Sequence, residues 1–146
     1  MKMGKKGFTL LETIIVLSLV TLILGLTTVF FAGFLPSVRL QATGREIAAT
    51  IRQARYLSRM NMETRTVIID LGKRSFGIEG RSARDIPPGT AIRIVDPQAG
   101  EIRQGEYSIV LRPAGNMTGA TILLSAGRKA VRIEMDPVTG AVLARD

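Results

Sequence analysis

Gly7-Phe8-Thr9-Leu10-Leu11-Glu12 is the decisive stretch of this 146-residue chain. Three lysines precede it (Lys2, Lys5 and Lys6), and behind it no charged residue occurs from Thr13 to Val38. Glu12 is therefore a lone carboxylate at the edge of an apolar run. A helix that spans a bilayer needs about 20 apolar residues at 1.5 Å rise each, and this run exceeds that. A charge inside such a segment costs a few kcal/mol, so it points to function by default.

Three readings compete for the run. A secretory signal peptide has an apolar core of about 7 to 15 residues followed by a small-residue cleavage site. This run is longer and no Ala-x-Ala-like site follows it. A simple signal anchor fits the length but leaves Glu12 unexplained. The third reading places a cut between Gly7 and Phe8, so that the helix stays with the mature protein and Phe8 carries a new amine. Glu12 is then four residues beyond that amine, and a helix places residues i and i+4 on one face. Pairing with it, within the chain or in a neighbour, offsets the cost of either charge in apolar surroundings. The plainer alternative is a carboxylate that snorkels to the headgroups. Gly25, Gly33 and Pro36 interrupt the run, and Pro36 predicts a kink near its outer end.

Lys5-Lys6-Gly7-Phe8-Thr9-Leu10-Leu11-Glu12 followed by a long apolar helix resembles the leader of type IV pilins and type II secretion pseudopilins. The resemblance implies cleavage after Gly7 by the prepilin peptidase and N-methylation of Phe8. It implies that Glu12 recruits and registers the subunit in a filament. It also implies a leader inside the cell and a body outside the inner membrane. Counting positive charges alone leaves orientation open, because Arg39 and Arg45 follow the run closely.

From Leu40 to about Met62 the pattern is helical. Leu40, Ile47, Ile51, Ala54 and Ser58, with Ala48 and Met62, form an apolar stripe, and arginines occupy the other side. One helix from Phe8 to near Met62, softened at Pro36 and Gly44, is the simplest expectation. After Glu63 the chain reads as strands: 66–71, 75–79, 91–95, 107–111, 120–125, 131–135 and 141–144, joined by turns and by polar loops over 80–89 and 96–105. Asp136-Pro137-Val138-Thr139-Gly140 has the residues of a tight turn. The expected fold class is α+β, a long N-terminal helix packed on a small antiparallel meander of six or seven strands. The expected divisions are a leader over 1–7, a transmembrane or filament-core helix over 8–38, its amphipathic continuation over 39–63, and a β domain over 64–146.

The last third carries a second resemblance. Arg112-Pro113-Ala114-Gly115, Thr121-Ile122-Leu123-Leu124, Gly127-Arg128 and Ile133-x-x-Asp136-Pro137-x-Thr139-Gly140 look like the H-type minor pseudopilins of type II secretion and related minor pilins. Ala141 stands where those proteins have a basic residue.

Composition narrows the chemistry. No histidine is present, which removes the commonest general base and metal ligand, and no cysteine, which removes disulfides and thiolate sites. No catalytic residue, cofactor or metal is expected, and Met60, Met62, Met117 and Met135 read as packing residues. Asp136 reads as a turn residue that accepts backbone donors, with calcium binding as the other option. The formal charge of +8 falls to +5 without Lys2, Lys5 and Lys6. A net positive field attracts nucleic acid or anionic lipid.

The leading expectation is a minor pseudopilin, a structural subunit of a periplasmic filament that helps to export folded proteins. Its expected partners are the prepilin peptidase, other major and minor pilins or pseudopilins, the inner-membrane assembly platform and the membrane itself. The alternative is a minor pilin of a type IV pilus that binds DNA for uptake through Arg128, Lys129, Arg132 and Arg145. The near absence of aromatic stacking platforms counts against that alternative. An anchored enzyme is the third class.

Overall fold

A computed structural model of the protein describes residues 8–145, with side chains described outside 28–36. One helix, α1 (Leu10–Asn61), is followed by nine strands: β1 (Arg65–Asp70), β2 (Ser75–Ile78), β3 (Arg84–Asp85), β4 (Ala91–Asp96), β5 (Gly100–Ile102), β6 (Glu106–Leu111), β7 (Thr121–Ala126), β8 (Lys129–Met135) and β9 (Val142–Arg145). By contacts the chain divides into two units, Met1–Leu35 and Pro36–Asp146. The expected leader over 1–7 lies outside the described residues.

In the first unit α1 is an apolar helix with no interior. Leu10–Thr27 is long and apolar enough to cross a membrane, and none of it is buried. Ser18, Thr21 and Thr27 satisfy their hydroxyls on carbonyls of the preceding turn, Ile14, Leu17 and Ile23. No polar group of these side chains is left to seek a partner in an apolar medium.

In the second unit the apolar stripe of α1 faces the strands. Leu40, Ile47, Ala48, Ile51 and Ala54 are buried in one cluster with residues such as Val67, Ile69, Phe76, Ile94, Ile109, Ile122 and Ile133. Ser58 is equally buried, and its hydroxyl donates to the Leu111 carbonyl at 3.0 Å. Pro36 and Gly44 do not end the helical assignment. Gly44 is a contact point rather than a weak one: a Cβ there would come within 2.8 Å of Val131 Cγ1.

The strands do not form one meander. They form two antiparallel sheets, in the orders β3-β2-β1-β6 and β5-β4-β7-β8-β9. The hairpins β1–β2, β7–β8 and β8–β9 are local, as the turn residues predict. The departures are the long-range pairs. β1 takes β6 along its whole length, Arg65 opposite Leu111 to Asp70 opposite Glu106, and β4 takes β7. Strand alternation sets which face is buried but not which strand is the neighbour. The two loops expected over 80–89 and 96–105 each contain a short edge strand, β3 on β2 and β5 on β4. The sheets are tied at one end by Tyr107 on β6, whose hydroxyl donates to the Asp96 carboxylate of β4 at 2.5 Å.

Candidate assembly site

The start of α1 is built by Thr9. As the residue before the helix, it receives the Glu12 amide on its hydroxyl at 3.2 Å, and its carbonyl receives the Thr13 amide at 3.2 Å. Thr9-x-x-Glu12 has capping-box spacing, so the threonine satisfies one orphan amide of the first turn. Glu12 is the acidic residue of that turn, where the positive end of the helix dipole favours a carboxylate. Glu12 and Phe8 are both exposed, Phe8 to 79%.

This geometry corrects one step of the sequence argument. The i, i+4 relation between Phe8 and Glu12 holds only if both are helical, but the helix begins at Leu10 because Thr9 caps it. Phe8 precedes the cap and does not share a helical face with Glu12. The Thr9-x-x-Glu12 signal was present in the sequence and marks the boundary.

The basic residues of the body do not form one patch. Arg128 is exposed in the β7–β8 turn, and Lys129 donates to the Ser37 hydroxyl at 2.8 Å. Arg132 and Arg145 are register partners on β8 and β9, and Arg132 is paired with Glu134 at 2.8 Å.

Most residues of the C-terminal resemblance come together as a packing seam at one end of the β7–β8 pair, whereas Gly127 and Arg128 turn at the other end. The turn at Arg112–Gly115 closes with the Gly115 amide on the Arg112 carbonyl at 2.9 Å. Gly119 lies against Pro137, where a Cβ would be 2.9 Å from the ring. Asp136 accepts from the Val138 and Thr139 amides at 2.8 and 3.1 Å, which holds its carboxyl below the ordinary carboxylate range. Arg55 of α1 grips the Gly140 and Thr139 carbonyls, and Arg52 reaches the Val142 carbonyl at 3.4 Å. Arg55 is thus an exception to the expectation that the arginines occupy the side opposite the apolar stripe. It lies between Ala54 and Ser58 at spacings of four and three from Ile51 and Ser58, inside the stripe, and that spacing was the available signal. Met60 and Met62 are the opposite case, read as packing residues but 62% and 75% exposed.

Comparison with known proteins adds two findings. Residues 2–28 match the prokaryotic N-terminal methylation motif. The chain is also 26% identical over 137 residues to the type II secretion system protein H of Xanthomonas campestris pv. campestris, covering 94% of this chain and 81% of that protein. No solved structure matches. Both findings agree with the resemblance to H-type minor pseudopilins carried by the two ends of the sequence. The methylation motif covers the Thr9 cap, Glu12 and the exposed apolar turns of α1. The apolar helix that the motif opens has the length and composition of a membrane anchor.

Proposed function

We propose that this protein is a minor pseudopilin, a structural subunit of a type II secretion pseudopilus that helps to export folded proteins. The prepilin peptidase cuts between Gly7 and Phe8 and the new Phe8 amine is methylated. The 8–38 segment first anchors the subunit in the inner membrane, with the leader cytoplasmic and the body periplasmic. It then packs in the core of a periplasmic filament with other major and minor pseudopilins, assembled on the inner-membrane platform. The 39–63 segment and the 64–146 domain form the outward body.

The observation that carries this reading is the capped, wholly exposed apolar helix that begins within two residues of the expected cut and holds one carboxylate in its first turn. Because Phe8 lies outside the helix, its amine is free to reach the Glu12 of a neighbouring subunit. Pairing there neutralises both charges in the apolar core of the filament. Mass spectrometry of the mature N-terminus tests the processing step and should find methylated phenylalanine at position 8. Glu12→Ala should keep membrane insertion and lose incorporation into filaments, read by shearing and fractionation. Normal incorporation of that variant would remove the role given to Glu12. The DNA-uptake reading gains no support from the body, because Arg132 is engaged by Glu134.

A further inference from the structure

We propose that the β7–β8 turn, with Arg128 and with Lys129 bonded to Ser37 two residues before Arg39, is a docking surface for anionic phospholipid headgroups at the bilayer from which α1 emerges. The proposal rests on the reading of α1 as a membrane span. The uncharged run from Thr13 to Val38 has 26 residues. At 1.5 Å per residue it rises about 39 Å, against about 30 Å of hydrocarbon and about 40–45 Å with headgroups. Its last residues, Ser37 and Val38, therefore reach the headgroup layer, and Arg39 is the first charge beyond.

The fold brings a second chain segment to Ser37. The Lys129 ammonium donates to the Ser37 hydroxyl at 2.8 Å, a contact between residues 92 apart in sequence. Next to it is an open cleft of about 350 Å³ lined by Ser37, Leu40, Gln41, Lys129, Ala130 and Val131. Its floor is apolar, with Leu40 and Val131 buried, and its rim carries Lys129. That combination suits a glycerol backbone below a phosphate.

Charge complementarity selects the headgroup. Arg39, Arg128 and Lys129 are exposed, and among the described residues none of them is in an ion pair. The carboxylates on the flanking elements are already engaged, Glu46 by Arg84 and Glu134 by Arg132. The other end of the same sheet is different: there Glu101 is shared between Arg93 and Arg103, leaving mixed charge. A phosphodiester in DNA has the same chemistry, but the bilayer is tethered to Arg39 by its own chain. That gives the lipid a high effective concentration no free polyanion has. Each cation near an anionic surface raises the docked-to-free ratio about fivefold.

The chain has no cysteine, so Ala130→Cys accepts a single spin label at the cleft, and Ala99→Cys places one at the opposite end of the sheet. The full-length protein is reconstituted in vesicles of phosphatidylcholine, or of an equimolar mixture with phosphatidylglycerol. Collision of the label with a water-soluble nickel chelate is then measured. Shielding at position 130 and not at 99, only with phosphatidylglycerol, supports the proposal. It should be lost at about 1 M salt, where screening acts over about 3 Å. Arg128→Gln should lower the docked-to-free ratio about fivefold, and adding Lys129→Gln about fivefold again. Equal accessibility in both vesicle types, with the protein floating in both, overturns the docking surface and leaves the span intact. Shielding by added duplex DNA in phosphatidylcholine alone overturns it in favour of nucleic acid. Failure to float with either vesicle removes the membrane reading and the proposal with it.

Discussion

The two halves of α1 share one backbone geometry and two different solvents. From Leu10 to Thr27 every residue is exposed, although most are apolar. From Leu40 to Ser58 the stripe of Leu40, Ile47, Ala48, Ile51 and Ala54 recurs at helical spacing and is buried, while the arginines other than Arg55 stay exposed. The lesson is that burial energy is collected in different places. The second half is stabilised by the strands of its own chain. The first half has apolar surface that the described residues of its own chain leave unburied.

The largest expected contrast comes from trimming an isoleucine in each half. Ile47→Ala empties a fully buried site and should cost about 2–5 kcal/mol of body stability. Ile14→Ala, at a 54% exposed position, should leave the thermal unfolding of the detergent-solubilised body unchanged. Equal effects would break the distinction. Next come the glycines. Gly44→Leu forces atoms into Val131 and Leu124 and should cost about 1–3 kcal/mol, offset in part by the better helix former. Gly25→Leu meets nothing within 4 Å and should not move the body transition.

Two serines give a smaller and sharper test. The Ser58 hydroxyl is buried on the Leu111 carbonyl across the core, whereas Ser18 bonds the Ile14 carbonyl within an exposed helix. Ser58→Ala should cost about 1–2 kcal/mol in the same melt, because it leaves a buried carbonyl with one partner fewer. Ser18→Ala should have no effect on the melt.

The smallest effect is pH-dependent and belongs to the body alone. The Tyr107 hydroxyl, then the Ala99 and Gln98 amides, hold the Asp96 carboxyl below its ordinary 3.8. Burial first, and then the Asp96 contact, push the Tyr107 phenol above its ordinary value. A depressed carboxyl binds fewer protons folded than unfolded. Its contribution is therefore present above pH 3.8 and is lost as pH falls through the folded value. Asp96→Asn should flatten the loss of stability on acidification below about pH 4, followed by circular dichroism. An unchanged slope would show that the tie between the two sheets does not titrate.

Much of the body was legible as elements and little of it as neighbours. The turn at Asp136–Gly140 is where its residues predict, because Asp136 caps its own backbone and Gly140 takes φ of +64°. The strand 131–135 alternates in burial as its residues alternate in polarity. The single meander failed because β1 chose β6 across 40 residues of chain, and β4 chose β7. Periodicity describes one strand at a time and holds no information about its partner. Met62 followed the stripe on paper yet is exposed, because the helix ends at Asn61 and Met62 has φ of +53°.

At the candidate site, Glu12 and the Phe8 junction were visible as chemistry out of place: a carboxylate on the edge of an uncharged run. The cap was visible as spacing. Sequence alone determined the apolar run, the helical stripe and the turns, because these depend on the order of residues within a few positions. Tertiary structure alone decided that Arg55 clamps the C-terminal turn, that Gly44 admits Val131, and that Lys129 reaches Ser37. Those contacts join residues about 85 to 92 positions apart, and only the closing of two sheets on one helix brings them within bonding distance.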